Sequence, residues 1–117
     1  MTWTVLVVED EPIIRMNAVA MIEEAGYDVI EASNADDAIL LLETRPEIRV
    51  VFSDIEMPGS MNGLNLIHAV RRRWPRVVLI LASGRISPLV GEMPSETVLL
   101  RKPCAEHDII NVIRKAA

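Results

Sequence analysis

Short unbroken apolar runs alternate along this chain with longer stretches whose apolar residues recur every three or four positions. The runs at residues 3–8, 27–32, 49–53, 77–82 and 97–100 predict five strands. Val5, Leu6, Val7 and Val8 are consecutive, with no polar alternate. That pattern suits a strand buried on both faces, as in a parallel sheet. Between the strands, Ile14, Ala18, Met21, Ile22 and Ala25 share helical spacing and are expected to face inward, in a helix opened by Pro12 and stopped by Gly26. Asn34 is placed to cap a second helix carrying Ala35, Ala38, Ile39 and Leu42 on one face, with Pro46 beyond it. A third helix is expected over residues 63–74, closed by Pro75, and a last one over 105–116 with Ile109, Ile110 and Ile113 inward. Residues 83–95 hold Gly84, Pro88, Gly91 and Pro94, and read as loop with at most a short helix. Strands alternating with helices imply an α/β fold: a parallel sheet with helices on both faces.

Composition narrows the function. A chain of 117 residues fits one domain, and half of it is hydrophobic, enough to bury a core. The net charge of −5 argues against direct nucleic-acid binding and against anionic membranes as the main partner. The single cysteine, Cys104, forms no intrachain disulfide and is expected to be a packing residue. No signal peptide and no membrane-spanning apolar run is legible, so the expected location is cytoplasmic.

In such folds ligands bind beyond the carboxyl ends of the strands. The first strand is followed there by Glu9 and Asp10, the third by Asp54 with Glu56 two residues on, the fourth by Ser83 and the fifth by Lys102. Each alone has an ordinary reading: a solvated turn, a helix start, a surface charge. Together they make a set of acids, a hydroxyl and an ammonium at one edge. Clustered carboxylates repel unless a cation joins them. Mg²⁺ suits one or two carboxylates and keeps room for phosphate oxygens, so Glu9, Asp10 and Asp54 are the candidate ligands. A carboxylate can also act as nucleophile and form an aspartyl phosphate, and Asp54 is the candidate. Lys102 would offset the incoming charge and Ser83 would donate to a phosphate oxygen.

The chain resembles the receiver domain of bacterial two-component response regulators over nearly its whole length. The resemblance is carried by Val-Val-Glu-Asp-Glu at 7–11, Asp-Ile-Glu-Met-Pro-Gly at 54–59, Asn62-Gly63-Leu64, Ala82-Ser83-Gly84 and Lys102-Pro103. It implies a flavodoxin-like doubly wound five-stranded parallel sheet of order 2-1-3-4-5, with the acidic pair on Glu9 and Asp10 and the phosphoacceptor on Asp54. It further implies the switch hydroxyl on Ser83, the essential lysine on Lys102 in a cis peptide with Pro103, and a Mg²⁺ contact from the Glu56 backbone carbonyl. The implied phosphoryl donor is a histidine kinase or histidine phosphotransfer protein, the output a downstream protein target, and the domain a monomer or weak homodimer. It would be a switch rather than a turnover enzyme.

Three departures stand out. Leu99 occupies the position of the family's switching aromatic. The segment between Ser83 and Lys102 is short, so its helix is expected to be short or irregular. The loop after Asp54 is one residue longer. With Leu-Ala-Ser-Gly at 81–84, these features resemble an atypical single-domain subgroup that carries a Phe-Ala-Thr-Gly-like motif. Two other functions compete: a phosphorylation-independent interaction module, suggested by Leu99, and a small phosphatase or phosphotransferase with an aspartyl intermediate, suggested by Asp54 with Glu56. No helix-turn-helix segment supports a DNA-binding regulator. His68 and His107 lack partners at metal-ligand spacing, and Arg71, Arg72 and Arg73 read as a solvated helix end.

Overall fold

The computed structural model describes residues 3–57, 61–84, 93–102 and 106–116, without the side chain of Glu106. The Pro58-Gly59-Ser60 stretch, most of the segment expected to be irregular, the Lys102–Pro103 peptide and Cys104 fall outside these residues. Among the described residues, five strands and four helices are seen: β1 (Thr4–Val8), α1 (Pro12–Glu24), β2 (Asp28–Ala32), α2 (Ala35–Thr44), β3 (Ile48–Asp54), α3 (Gly63–Arg73), β4 (Val78–Ser83), β5 (Val98–Arg101) and α4 (Glu106–Ala116). All strand pairs are parallel, in the order β2-β1-β3-β4-β5. The parallel sheet is the one expected from the alternating pattern, and its strand order is the one the resemblance implies.

Local chemistry sets the element ends. Asn34 and Asn62 begin α2 and α3 by accepting from the backbone N–H of Asp37 and Asn65, three residues on. Asn65 returns a bond to the Asn62 backbone and completes a capping box. Arg45 and Trp74 end these helices with φ of −124° and −131°. Each precedes a proline, whose ring disfavours the helical conformation of the residue before it. After α1, Gly26 takes a φ of +101°, the left-handed turn that glycine adopts without a Cβ clash.

The sheet separates two cores. On one face Leu6, Val8, Val51, Leu79 and Leu81 pack with Ala38 and Leu42 of α2 and Leu66, Ile67 and Val70 of α3. On the other, Val5, Val7, Val50, Phe52 and Ile80 pack with Ile22 of α1 and Ile109, Ile110 and Ile113 of α4. A fully buried Leu or Ile contributes about 2–3 kcal/mol. The inward set expected for α1 needs correction. Ile22 is buried, but Ile14 is 47% exposed. It borders a cavity of about 500 Å³ that is also lined by Ala18, Met21, Phe52 and, from α4, Ile109. Among the described residues no helix is long and apolar enough to cross a membrane.

Candidate functional site

Parallel pairing brings the ends of β1, β3 and β4 to one edge, with Val8 opposite Ser53 and Asp54 opposite Ala82. Residues just beyond these strands therefore converge. Glu9, Asp10 and Asp54 each offer a carboxylate oxygen within 4.8 Å of the others. Glu9 and Asp54 are buried and Asp10 is exposed, so the cluster opens to solvent on one side. Lys102 Nζ lies 2.8 Å from Asp54 Oδ2 and 3.5 Å from Glu9 Oε1.

The backbone fixes Asp54 as well. Asp54 Oδ1 accepts from the Glu56 amide at 3.2 Å. The Ile55 amide donates to Ala82 O at 3.0 Å, extending the sheet past Asp54, and the Gly63 amide donates to Ile55 O at 3.0 Å. Here the N-terminus of α3 presses on the site. A Cβ on Gly63 would lie 1.9 Å from the Asp54 carbonyl oxygen, a separation no side chain can occupy. The Lys102 amide donates to Ser83 O at 2.7 Å, which anchors the lysine to the end of β4.

These positions set the electrostatics. Burial, a hydrogen bond with Asp10 and the Asp54 charge push the Glu9 carboxyl up to about 7, against a smaller opposing pull from Lys102. Burial alone would lower the proton affinity of Lys102, but its hydrogen bond and charge pairing with Asp54, aided by Glu9, more than offset this and raise it. The site thus gathers more carboxylate charge than Lys102 balances, which raises the proton affinity of Glu9. A divalent cation would displace a proton held there. The donor set of three carboxylates fits a hard cation such as Mg²⁺.

The expected residues fall as follows. Glu9, Asp10, Asp54 and Lys102 come together. Ser83 is fully buried, one residue past the Ala82 that pairs with Asp54. Glu56 turns its side chain to solvent while its amide holds Asp54. Leu99 is half-buried, pairs with Leu81 and packs on the α2/α3 core. One participant is absent from the sequence reading. Arg15 on α1 donates from Nη1 to the Glu9 carbonyl at 2.9 Å. Its only signal in sequence is position: one turn into the helix that follows the acidic pair.

Fold and site together define a doubly wound α/β domain with an acidic, lysine-bearing pocket at the carboxyl edge of its sheet. The model of the response regulator receiver domain matches residues 5–114, and the chain belongs to that family. It is therefore a signalling domain of two-component systems, a switch rather than a turnover enzyme. The chain is 38% identical over 82 residues to the sensor kinase CckA of Brucella abortus, covering 69% of this chain and 9% of that protein. It is 26% identical to the phyllosphere-induced regulator PhyR of Methylorubrum extorquens, covering 99% of this chain and 44% of that protein. The chain spans under half the length of the curated relatives it matches. A response regulator receiver protein from Sinorhizobium medicae superposes with a TM-score of 0.91 at 22% identity, covering 98% of this chain and 94% of that one. The receiver domain of the hybrid histidine kinase CckA superposes with a TM-score of 0.78 at 24% identity, covering 97% of each chain. At these identities the two structures speak for the fold.

Proposed function

We propose that Asp54 accepts a phosphoryl group from a phosphohistidine of a histidine kinase or phosphotransfer protein, with Mg²⁺ held by Glu9, Asp10, Asp54 and the Glu56 carbonyl. The observation that carries this reading is the placement of Lys102 Nζ 2.8 Å from Asp54 within a triad of carboxylates. An Asp54 oxygen attacks phosphorus, the P–N bond breaks with its electron pair going to the ring nitrogen, and the ring takes a proton from water to leave as neutral imidazole. The Glu56 amide and Lys102 orient the Asp54 carboxylate before attack. Lys102 then passes its contact from Asp54 to a phosphoryl oxygen, and Ser83 donates to another. The cation, when bound, neutralises charge on the phosphoryl oxygens. Hydrolysis of the acyl phosphate resets the switch.

Similarity to a sensor kinase and to a regulator supports a histidine kinase as donor and a protein as reader of the signal. Leu99 gives output a different form from ring rotation, because an aliphatic side chain packed on the α2/α3 core can shift without swinging a ring. Exposure to acetyl phosphate or phosphoramidate, with and without Mg²⁺, tests the chemistry by intact mass. One added phosphoryl group is expected with Mg²⁺ and none on the Asp54→Asn variant. No adduct from small donors or from a cognate kinase, on folded protein that binds Mg²⁺, would move the reading to a phosphorylation-independent interaction module.

A further inference from the structure

We infer that Arg15 is a positioning residue for the metal site, setting the geometry of Glu9 and the Asp10 that follows it by gripping the Glu9 carbonyl rather than by balancing their charge. The inference rests on the Mg²⁺ reading of the acidic triad and adds a residue to it.

Arg15 sits one turn into α1, its side chain only 19% exposed. Nε binds Glu31 Oε1 at 2.9 Å, and Nη1 binds the Glu9 carbonyl at 2.9 Å. Glu31 lies on β2, paired with Val7 on β1. One planar guanidinium therefore joins α1, the edge strand and the β1–α1 junction. Its partners among the described residues are a carbonyl and Glu31, both outside the cluster of carboxylate oxygens that Glu9, Asp10 and Asp54 form.

The junction needs such a tie. At the start of α1, Glu11 occupies the cap position without a side-chain cap bond, in contrast to Asn34 and Asn62. Glu9 Oε2 accepts from the Glu11 amide at 3.4 Å, a long bond with which a cation on Glu9 would compete. That leaves the backbone between β1 and α1 to be held by other means. The Glu9 amide donates to Ala32 O at 3.1 Å, and Arg15 holds the Glu9 carbonyl. Both backbone groups of Glu9 are thus fixed, and with them the direction in which Glu9 and Asp10 project. Groups that orient metal ligands in this way typically change metal affinity by about 10- to 100-fold when altered.

Arg15→Lys separates geometry from charge. Lysine keeps the positive charge, but a single ammonium cannot serve two acceptors through a planar fork. Glu31→Gln is the second variant: it leaves Arg15 in place and weakens its orientation. Each 117-residue chain is titrated with Mg²⁺ by calorimetry at high ionic strength, where long-range charge is screened. Circular dichroism reports folding, and the melting temperature is taken without metal. Arg15→Lys is expected to bind Mg²⁺ about tenfold more weakly than wild type, and Glu31→Gln several-fold more weakly. A variant Arg15→Lys that melts lower but binds Mg²⁺ as wild type does would assign Arg15 a structural role only and overturn the inference. Where Arg15→Lys fails to fold, Glu31→Gln decides: weaker binding supports the inference, and unchanged binding overturns it. Wild type that takes up no Mg²⁺ would remove the metal reading itself, a failure seen before any variant is compared, and the inference would fall with it.

Discussion

The two faces of the sheet are built differently. On the α2/α3 face both helices carry side-chain caps, and Ala38, Leu66, Ile67 and Val70 are fully buried. On the α1/α4 face, α1 has no side-chain cap, Ile13, Ile14 and Met16 are 66%, 47% and 65% exposed, and a cavity of about 500 Å³ runs beneath the helix to Glu9, Asp54 and Lys102. One face is packed for stability. The other keeps space, and the carboxylates of Glu9 and Asp10, beside the acceptor. The difference teaches that Asp54 is held by β3 and the start of α3, whereas the carboxylates beside it come from the β1–α1 junction.

The sharpest way to break this contrast is at Gly63, where the tight face meets Asp54. Gly63→Ala would force a Cβ toward the Asp54 carbonyl, 1.9 Å away in the present geometry. The expected cost is about 3 kcal/mol by urea unfolding, with loss of phosphoryl uptake. Wild-type stability in that variant would show that the α3 start is free to move.

Adding the same bulk to each face compares their packing directly. Ala38→Val on the fully buried α2 position is expected to destabilise by about 1–3 kcal/mol. Ala18→Val borders the cavity, and the added methyls gain contact there, so stability should stay within about 0.5 kcal/mol of wild type. Equal costs at the two sites would mean that the cavity closes in solution.

The pH dependence isolates the head of α1. Glu9 titrates near 7, above its ordinary 4.5. Its protonated form therefore favours the metal-free fold, a contribution complete below 4.5 and lost as pH rises through 7. A cation requires the ionised form, so the sign reverses for binding. Mg²⁺ should bind about tenfold more weakly at pH 6 than at pH 8, as expected for loss of one proton of pKa near 7. A flat profile between these values would contradict the raised proton affinity. The smallest effect belongs to the caps. Asn62→Ala should cost about 1 kcal/mol, whereas Glu11→Ala, at a start without a side-chain cap bond, should stay within about 0.5 kcal/mol of wild type.

Much of this was legible in the sequence because it depends on short-range order. Unbroken apolar runs marked the buried strands, Asn34 and the prolines marked helix ends, and parallel topology was enough to bring Glu9, Asp10, Asp54 and Lys102 to one edge. What escaped depends on tertiary spacing. Helical periodicity gave Ile14 its phase on α1, but periodicity carries no information on how closely α4 approaches, and Ile14 is left at an open cavity. Arg15 gains its role only when β2 places Glu31 beside it. The proton affinity of Glu9 arises from burial and from Asp54, 45 positions away in sequence. The contact between Gly63 and the Asp54 carbonyl likewise exists only once α3 docks.

The central claim is that Asp54, and not its acidic neighbours, carries the phosphoryl group. Borohydride reduces an aspartyl phosphate to homoserine and leaves free carboxylates intact, so the acceptor can be read by peptide sequencing after phosphorylation in Mg²⁺. Homoserine at position 54 alone is the result this account predicts. Reduction at Asp10, or an adduct that survives at another residue in the Asp54→Asn variant, would contradict it.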